Sequence, residues 1–131
     1  MFFINDDMKK LLSLTDLVLL DIKHINSEKC KDLVGVPNKL ELDFAKYLSD
    51  NNIDIWIRQV LVPGLTDDEE DLIALRNFIN SLKTVQKVEI LPYHDLGKTK
   101  WEKLGLHYPL ENVRVATDED VKRAKSILKI N

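Results

Sequence analysis

A chain of 131 residues, 44% of them apolar and 31% charged, has room for one domain with a real core. It falls short of a complete α/β barrel, which takes about 200 residues or more. A net charge of −3 offers no footprint for nucleic acid or an anionic membrane, and a single cysteine, Cys30, excludes an internal disulfide or a cysteine-only metal site built from this chain.

The opening MFFINDD is too short and acidic for a secretory signal, and no apolar run reaches membrane-spanning length, so a cytoplasmic setting is expected. Asn5 precedes two acids and an apolar pattern through Met8, Leu11 and Leu12, which predicts a short helix ending near Leu14. The run LVLLDIKH from Leu17 reads as a first strand, and Cys30 with Leu33 falls in a helical stretch as an ordinary buried or half-buried thiol. Asn38 stands three residues before Glu41 like a capping box, with Leu42, Ala45 and Leu48 as the apolar stripe. A second strand reads IDIWIRQVLVPG from Ile53, and Pro63-Gly64 turns the chain toward Thr66. Thr66 before Asp67, Asp68 and Glu69 predicts a capped, dipole-matched helix with Leu72, Leu75, Phe78, Ile79 and Leu82 inward. The third strand starts at Val88 and meets Pro92, which cannot donate to a ladder. Gly97 to Val115 is irregular, and Thr117 opens a last helix with Val121, Ala124, Ile127 and Leu128 on one face.

Strands alternating with crossover helices favour a parallel sheet, whose working face lies at the carboxyl ends of its strands. Asp21, Lys23, Arg58 and His94 occupy those ends. Asp21 and Lys23, two apart, share a face; they suit either a zwitterionic ligand, a cation, or a plain structural ion pair. Arg58, two residues after Trp56, suits a carboxylate or phosphate, or lies along the surface as a solvated stem. His94 suits ribose hydroxyls or proton transfer, or is structural, and His24 and His107 are weaker candidates. Three strands leave two open edges, so the pattern looks cut from something larger.

The segments LLDIKHIN, WIRQVLVPGLTDD and LPYHDLGKTKWEKLG together resemble the second half of the pyruvate formate-lyase activating enzymes, from about Thr15 to Leu128. These are radical S-adenosylmethionine proteins that install a glycyl radical on a partner enzyme. The resemblance implies the C-terminal half of a partial (β/α)6 TIM-like barrel, with residues 1–131 as a single domain. It implies a [4Fe-4S] cluster that cleaves S-adenosylmethionine, and a deoxyadenosyl radical that takes a hydrogen atom from a glycine of the partner, pyruvate formate-lyase. Asp21, Lys23, Arg58, Val60 and His94 match positions that hold S-adenosylmethionine, and Asp21 also lies near a monovalent-cation site. The chain departs from the family in lacking its CxxxCxxC motif and the glycine-rich strand end. The expectation is therefore a C-terminal fragment, inactive alone and prone to self-association. The alternatives are a non-catalytic module that binds a glycyl radical enzyme, and a small homodimeric anion-binding α/β domain.

Overall fold

The structure, a computed structural model, describes residues 5–93 and 114–130. Its elements run α1 (Asp6–Ser13), β1 (Leu17–Asp21), α2 (Ser27–Val34), α3 (Lys39–Asp50), β2 (Asp54–Leu61), α4 (Glu69–Asn80), β3 (Val85–Pro92) and α5 (Asp118–Leu128). The three strands form one parallel sheet in the order β1-β2-β3. That is the α/β architecture the alternating pattern predicts, with β3 starting three residues earlier than Val88. Among the described residues no helix is long and apolar enough to cross a membrane.

The period-2 rule sorts the sheet into two unlike faces. Along β2, Ile55, Ile57, Gln59 and Leu61 are buried while Asp54, Trp56, Arg58 and Val60 are half-buried. Ile55, Ile57 and Leu61 meet Leu20 of β1 and Ile22 just past it, Ala45 and Leu48 from α3, Leu72 and Leu75 from α4, and Ala124 and Leu128 from α5 in one core. Each fully buried aliphatic side chain there contributes about 1.5–3 kcal/mol, which is what holds the helices onto this face. The opposite face is less covered: Leu17 and Leu19 of β1 are 36% and 54% exposed, and Lys87 of β3 is exposed.

The helix ends show which local signals decided the structure. Asn5 caps α1 by accepting from the Met8 N–H, and Thr117 and Asp120 form the predicted capping box of α5. Asn38 and Thr66 behave differently from their motifs. Asn38 makes no side-chain cap; its amide instead donates to the His24 and Ile25 carbonyls at 3.0 and 2.6 Å. Thr66 lies before α4, whose N-cap is Asp68, accepting from the Glu70 N–H. The Thr66 hydroxyl donates to the Val60 carbonyl and accepts from the Val62 N–H, closing the end of β2. In both cases a backbone group of the folded chain takes the side chain in place of a helix cap. In α1 only Leu12 is buried, so Met8 and Leu11, at 43% and 61% exposure, are not the inward stripe their spacing predicts.

Candidate functional site

The site forms where β1 ends against the body of β2: Arg58, expected at a strand end, lies within β2, which runs on to Leu61. Asp21 pairs in register with Arg58, and Arg58 with Glu89, so an acid, a base and an acid lie in one row across the three strands. All three stand on the less covered face, because the alternation that buries Leu20, Ile57 and Ile90 turns their neighbours the other way. The Ile22 N–H donates to the Arg58 carbonyl at 2.9 Å, carrying the β1 ladder one residue past Asp21 and fixing where Lys23 emerges. The Lys23 ammonium lies 3.7 Å from the Asp21 carboxylate, with Lys23 the more buried of the pair.

The segment bearing these groups is clamped from beneath. The Lys23 N–H donates to Glu41 of α3 at 3.5 Å, a long bond, and Asn38 holds the next two carbonyls. Burial pushes the Glu41 carboxyl above its ordinary value, opposed by Lys23. His24 is 2% exposed and spoken for on both nitrogens. Nδ1 accepts from the Asn26 N–H at 3.0 Å, so Nε2 carries the proton and donates to the Leu65 carbonyl at 2.8 Å. Burial lowers the His24 pKa, so the ring is a neutral strut between the β1 end and the turn after β2. Cys30 is fully buried in α2 and burial raises its pKa, which marks an inert thiol.

Arg58 is the least satisfied group of the cluster. Its Nε is buried and has no hydrogen-bond partner among the described residues; Glu89 Oε2 stands 3.7 Å away, an ion-pair distance only. Glu89 divides its carboxylate, with Oε1 3.1 Å from the Lys87 ammonium, and Lys87 in turn lies 5.1 Å from the centre of the Trp56 ring. Asp21, Lys23, Arg58 and Val60 line a common crevice with Gln59 and Thr66. Four of the five residues expected from the sequence are therefore brought together; His94, like His107 and most of the Gly97–Val115 stretch, lies outside the described residues. Among the described residues, the Ala116 N–H donates to the Tyr93 carbonyl at 2.9 Å.

A larger cleft, about 260 Å³, opens beside α2 between His24, Lys29, Leu33, Gly64 and Leu65. Its cation is already neutralised, with Lys29 Nζ 2.6 Å from Asp71, and its imidazole is satisfied. An orphaned guanidinium nitrogen is a stronger sign of a missing acceptor than a volume is, so the strand-end crevice is the better candidate. Glu89, Lys87, Glu41 and Gln59 were not anticipated. The alternation Lys87, Glu89, Leu91 was visible in the sequence, but its alignment with Arg58 depends on a register shift near Ile55 and Trp56 that nothing in the residue pattern marks.

Parallel strands, crossover helices and charged groups at the strand ends define an α/β protein with a polar strand-end site. The chain is a homologue of the pyruvate formate-lyase-activating enzymes. It is 52% identical over 120 residues to that enzyme of Streptococcus mutans, covering 92% of this chain and 46% of the relative. It is 56% identical over 117 residues to that of Staphylococcus epidermidis, covering 89% and 47%. The chain thus spans about half the length of the curated relatives it matches. No protein-family model matches it. Among solved structures, a domain of pyruvate-formate lyase-activating enzyme from Bacteroides vulgatus superposes with a TM-score of 0.76 at 20% identity, covering 95% of this chain and 69% of that one, a likeness of fold.

Proposed function

We propose that this chain supplies S-adenosylmethionine-binding strand ends of a glycyl-radical activase, a radical S-adenosylmethionine oxidoreductase acting on pyruvate formate-lyase. Homologues of that name at 52% and 56% identity support the family reading. The observation that carries the site is the convergence of Asp21, Lys23 and Arg58 on one crevice, with the Arg58 Nε buried and without a hydrogen-bond partner among the described residues. A zwitterion with a ribose needs opposite charges and hydrogen-bonding groups at one place, and a buried donor without an acceptor loses about 1–3 kcal/mol until one arrives. In this reading Lys23 and Arg58 face the ligand's carboxylate and hydroxyl oxygens, Asp21 its ammonium, and Val60 its apolar stem, with His94 completing the set. S-adenosylmethionine, when bound, supplies the hydrogen-abstracting chemistry of the family; these residues bind and orient it.

Residues 1–131 act in this proposal as a single domain and as the last three strands of a partial (β/α)6 barrel in a cytoplasmic enzyme. The polar, less covered sheet face supports it, since that face would turn toward a barrel interior. The chain's own residues do not fit a [4Fe-4S] cluster. Its only cysteine is buried in α2, and a cubane takes several thiolates. No step through the cluster is therefore assigned to this chain. Asp21 would be one carboxylate ligand to a monovalent cation, although no group of three His, Cys, Asp or Glu side chains among the described residues is placed to hold a metal.

The test is calorimetric titration of S-adenosylmethionine into a chimera joining this chain to the portion of the Streptococcus mutans relative that it does not match. Saturable binding that weakens at least tenfold in Arg58→Ala supports the reading. Equal affinity of the two proteins would return Arg58 to a structural ion pair with Glu89.

A further inference from the structure

Glu89 is one carboxylate set against two cations. The β2–β3 register pairs Arg58 with Glu89 and Trp56 with Lys87, and residues two apart on a strand share a face. Arg58, Lys87 and Glu89 therefore lie together on the less covered side of the sheet. Glu89 Oε2 stands 3.7 Å from Arg58 Nε, and Glu89 Oε1 stands 3.1 Å from the Lys87 ammonium. Among the described residues neither cation has another ion-pair partner. An arginine and a lysine converging on one carboxylate is also the arrangement that grips a phosphate. A phosphate entering here must displace Glu89 or lie beside it, and like charges at a few ångströms repel strongly when half-buried. On the other flank of Arg58 the register sets a second carboxylate, Asp21. S-adenosylmethionine is spared that repulsion, because its single carboxylate is outweighed by an ammonium and a sulfonium. An adenosine phosphate shares the adenine and ribose but carries negative charges in place of those positive ones.

We infer that Glu89 is a specificity-determining residue: as a built-in counter-anion for Arg58 and Lys87 it turns phosphate-bearing ligands away from the strand-end site and leaves that site to zwitterions. The discrimination comes from a repulsive element aimed at the wrong ligand and not from added contacts with the right one. It rests on the reading of these strand ends as a ligand site, and deepens it by stating which ligands the site refuses.

The experiment is calorimetric titration of inorganic tripolyphosphate into the chain at low salt. Glu89→Gln keeps the shape of the side chain and removes its charge. It should bind tripolyphosphate at least about tenfold more tightly than wild type. The gain should vanish when Arg58→Ala is added and shrink as salt is raised. Asp16→Asn removes the same unit of charge from an exposed position just before β1, at the far end of the sheet, and should leave the wild-type affinity unchanged. Equal affinity of wild type and Glu89→Gln overturns the inference. So does a gain that Asp16→Asn reproduces or that survives Arg58→Ala, either of which would be an effect of net charge alone. If circular dichroism shows that Glu89→Gln does not fold, Glu89→Ala takes its place under the same criteria. None of these outcomes involves S-adenosylmethionine, so failure here leaves the cofactor assignment to its own titration.

Discussion

Replacing His24 by alanine separates a structural imidazole from a functional one. The wild-type ring accepts from the Asn26 N–H and donates to the Leu65 carbonyl, and its removal leaves both groups unpaired in a region where His24 itself is 2% exposed. Each orphaned group costs about 1–3 kcal/mol, so His24→Ala should lose about 2–6 kcal/mol, a large share of the roughly 5–15 kcal/mol that holds a domain together. The loss should depend on pH in a defined direction. Burial lowers the folded-state pKa below the ordinary value of 6.5, outweighing the raising effects of the Leu65 carbonyl, Asp71 and Asp68, while Lys29 adds to the lowering. Between the folded and unfolded pKa values the unfolded chain binds the extra proton. The contribution of the neutral ring is therefore complete above pH 6.5 and shrinks as the pH falls below it. Urea unfolding of both proteins at pH 7.5 and 5.5 measures this. The stability gap should be widest at pH 7.5 and narrower at 5.5. A gap that widens toward acid would mean that the ring is held as an imidazolium, and no gap at either pH would refute the strut.

In the chimera, Asp21→Ala should weaken S-adenosylmethionine binding by about 1.5–3 kcal/mol by calorimetry, with unchanged far-ultraviolet circular dichroism because its side chain is exposed. Unchanged affinity would favour a structural pair with Lys23. Anaerobic reconstitution of the chain alone with iron and sulfide should give no stoichiometric [4Fe-4S] spectrum, since Cys30 is its single thiol; one cluster per chain would contradict the cysteine argument. The isolated chain should self-associate through the outer edge of β1, where Leu17 and Leu19 are exposed without a charge until Asp21. Light scattering should show mass rising with concentration for wild type and constant for Leu19→Lys, and a strictly monomeric wild type would mean that the edge is covered.

The sequence carried the element order because the apolar periods of Leu72 to Leu82 and of Ile53 to Leu61 are unambiguous, one helical and the other alternating. It carried Asp21 and Lys23 because they close an apolar strand; Arg58 joins them from within β2, where the register sets it opposite Asp21. It misled where a residue type has two outlets. Thr66 and Asn38 have the chemistry of helix caps, but Thr66 closes the turn at the end of β2 through Val60 and Val62, and Asn38 binds carbonyls of a segment that only the folded chain brings close. Glu89 and Gln59 were invisible for another reason. Glu89 becomes a site residue only once the β2–β3 register sets it opposite Arg58, and Gln59 lines the crevice only once β1 and β2 pair. Met8 and Leu11 show the limit of periodicity, which finds a face without saying that anything covers it.

The most direct measurement is electron paramagnetic resonance of pyruvate formate-lyase after anaerobic incubation with the reconstituted chimera, reductant and S-adenosylmethionine. The account predicts a glycyl-radical doublet with the wild-type strand ends and a strongly reduced signal when Asp21 and Arg58 are both replaced by alanine. Full radical yield from that double variant, with S-adenosylmethionine still required, would contradict the placement of the cofactor at these strand ends.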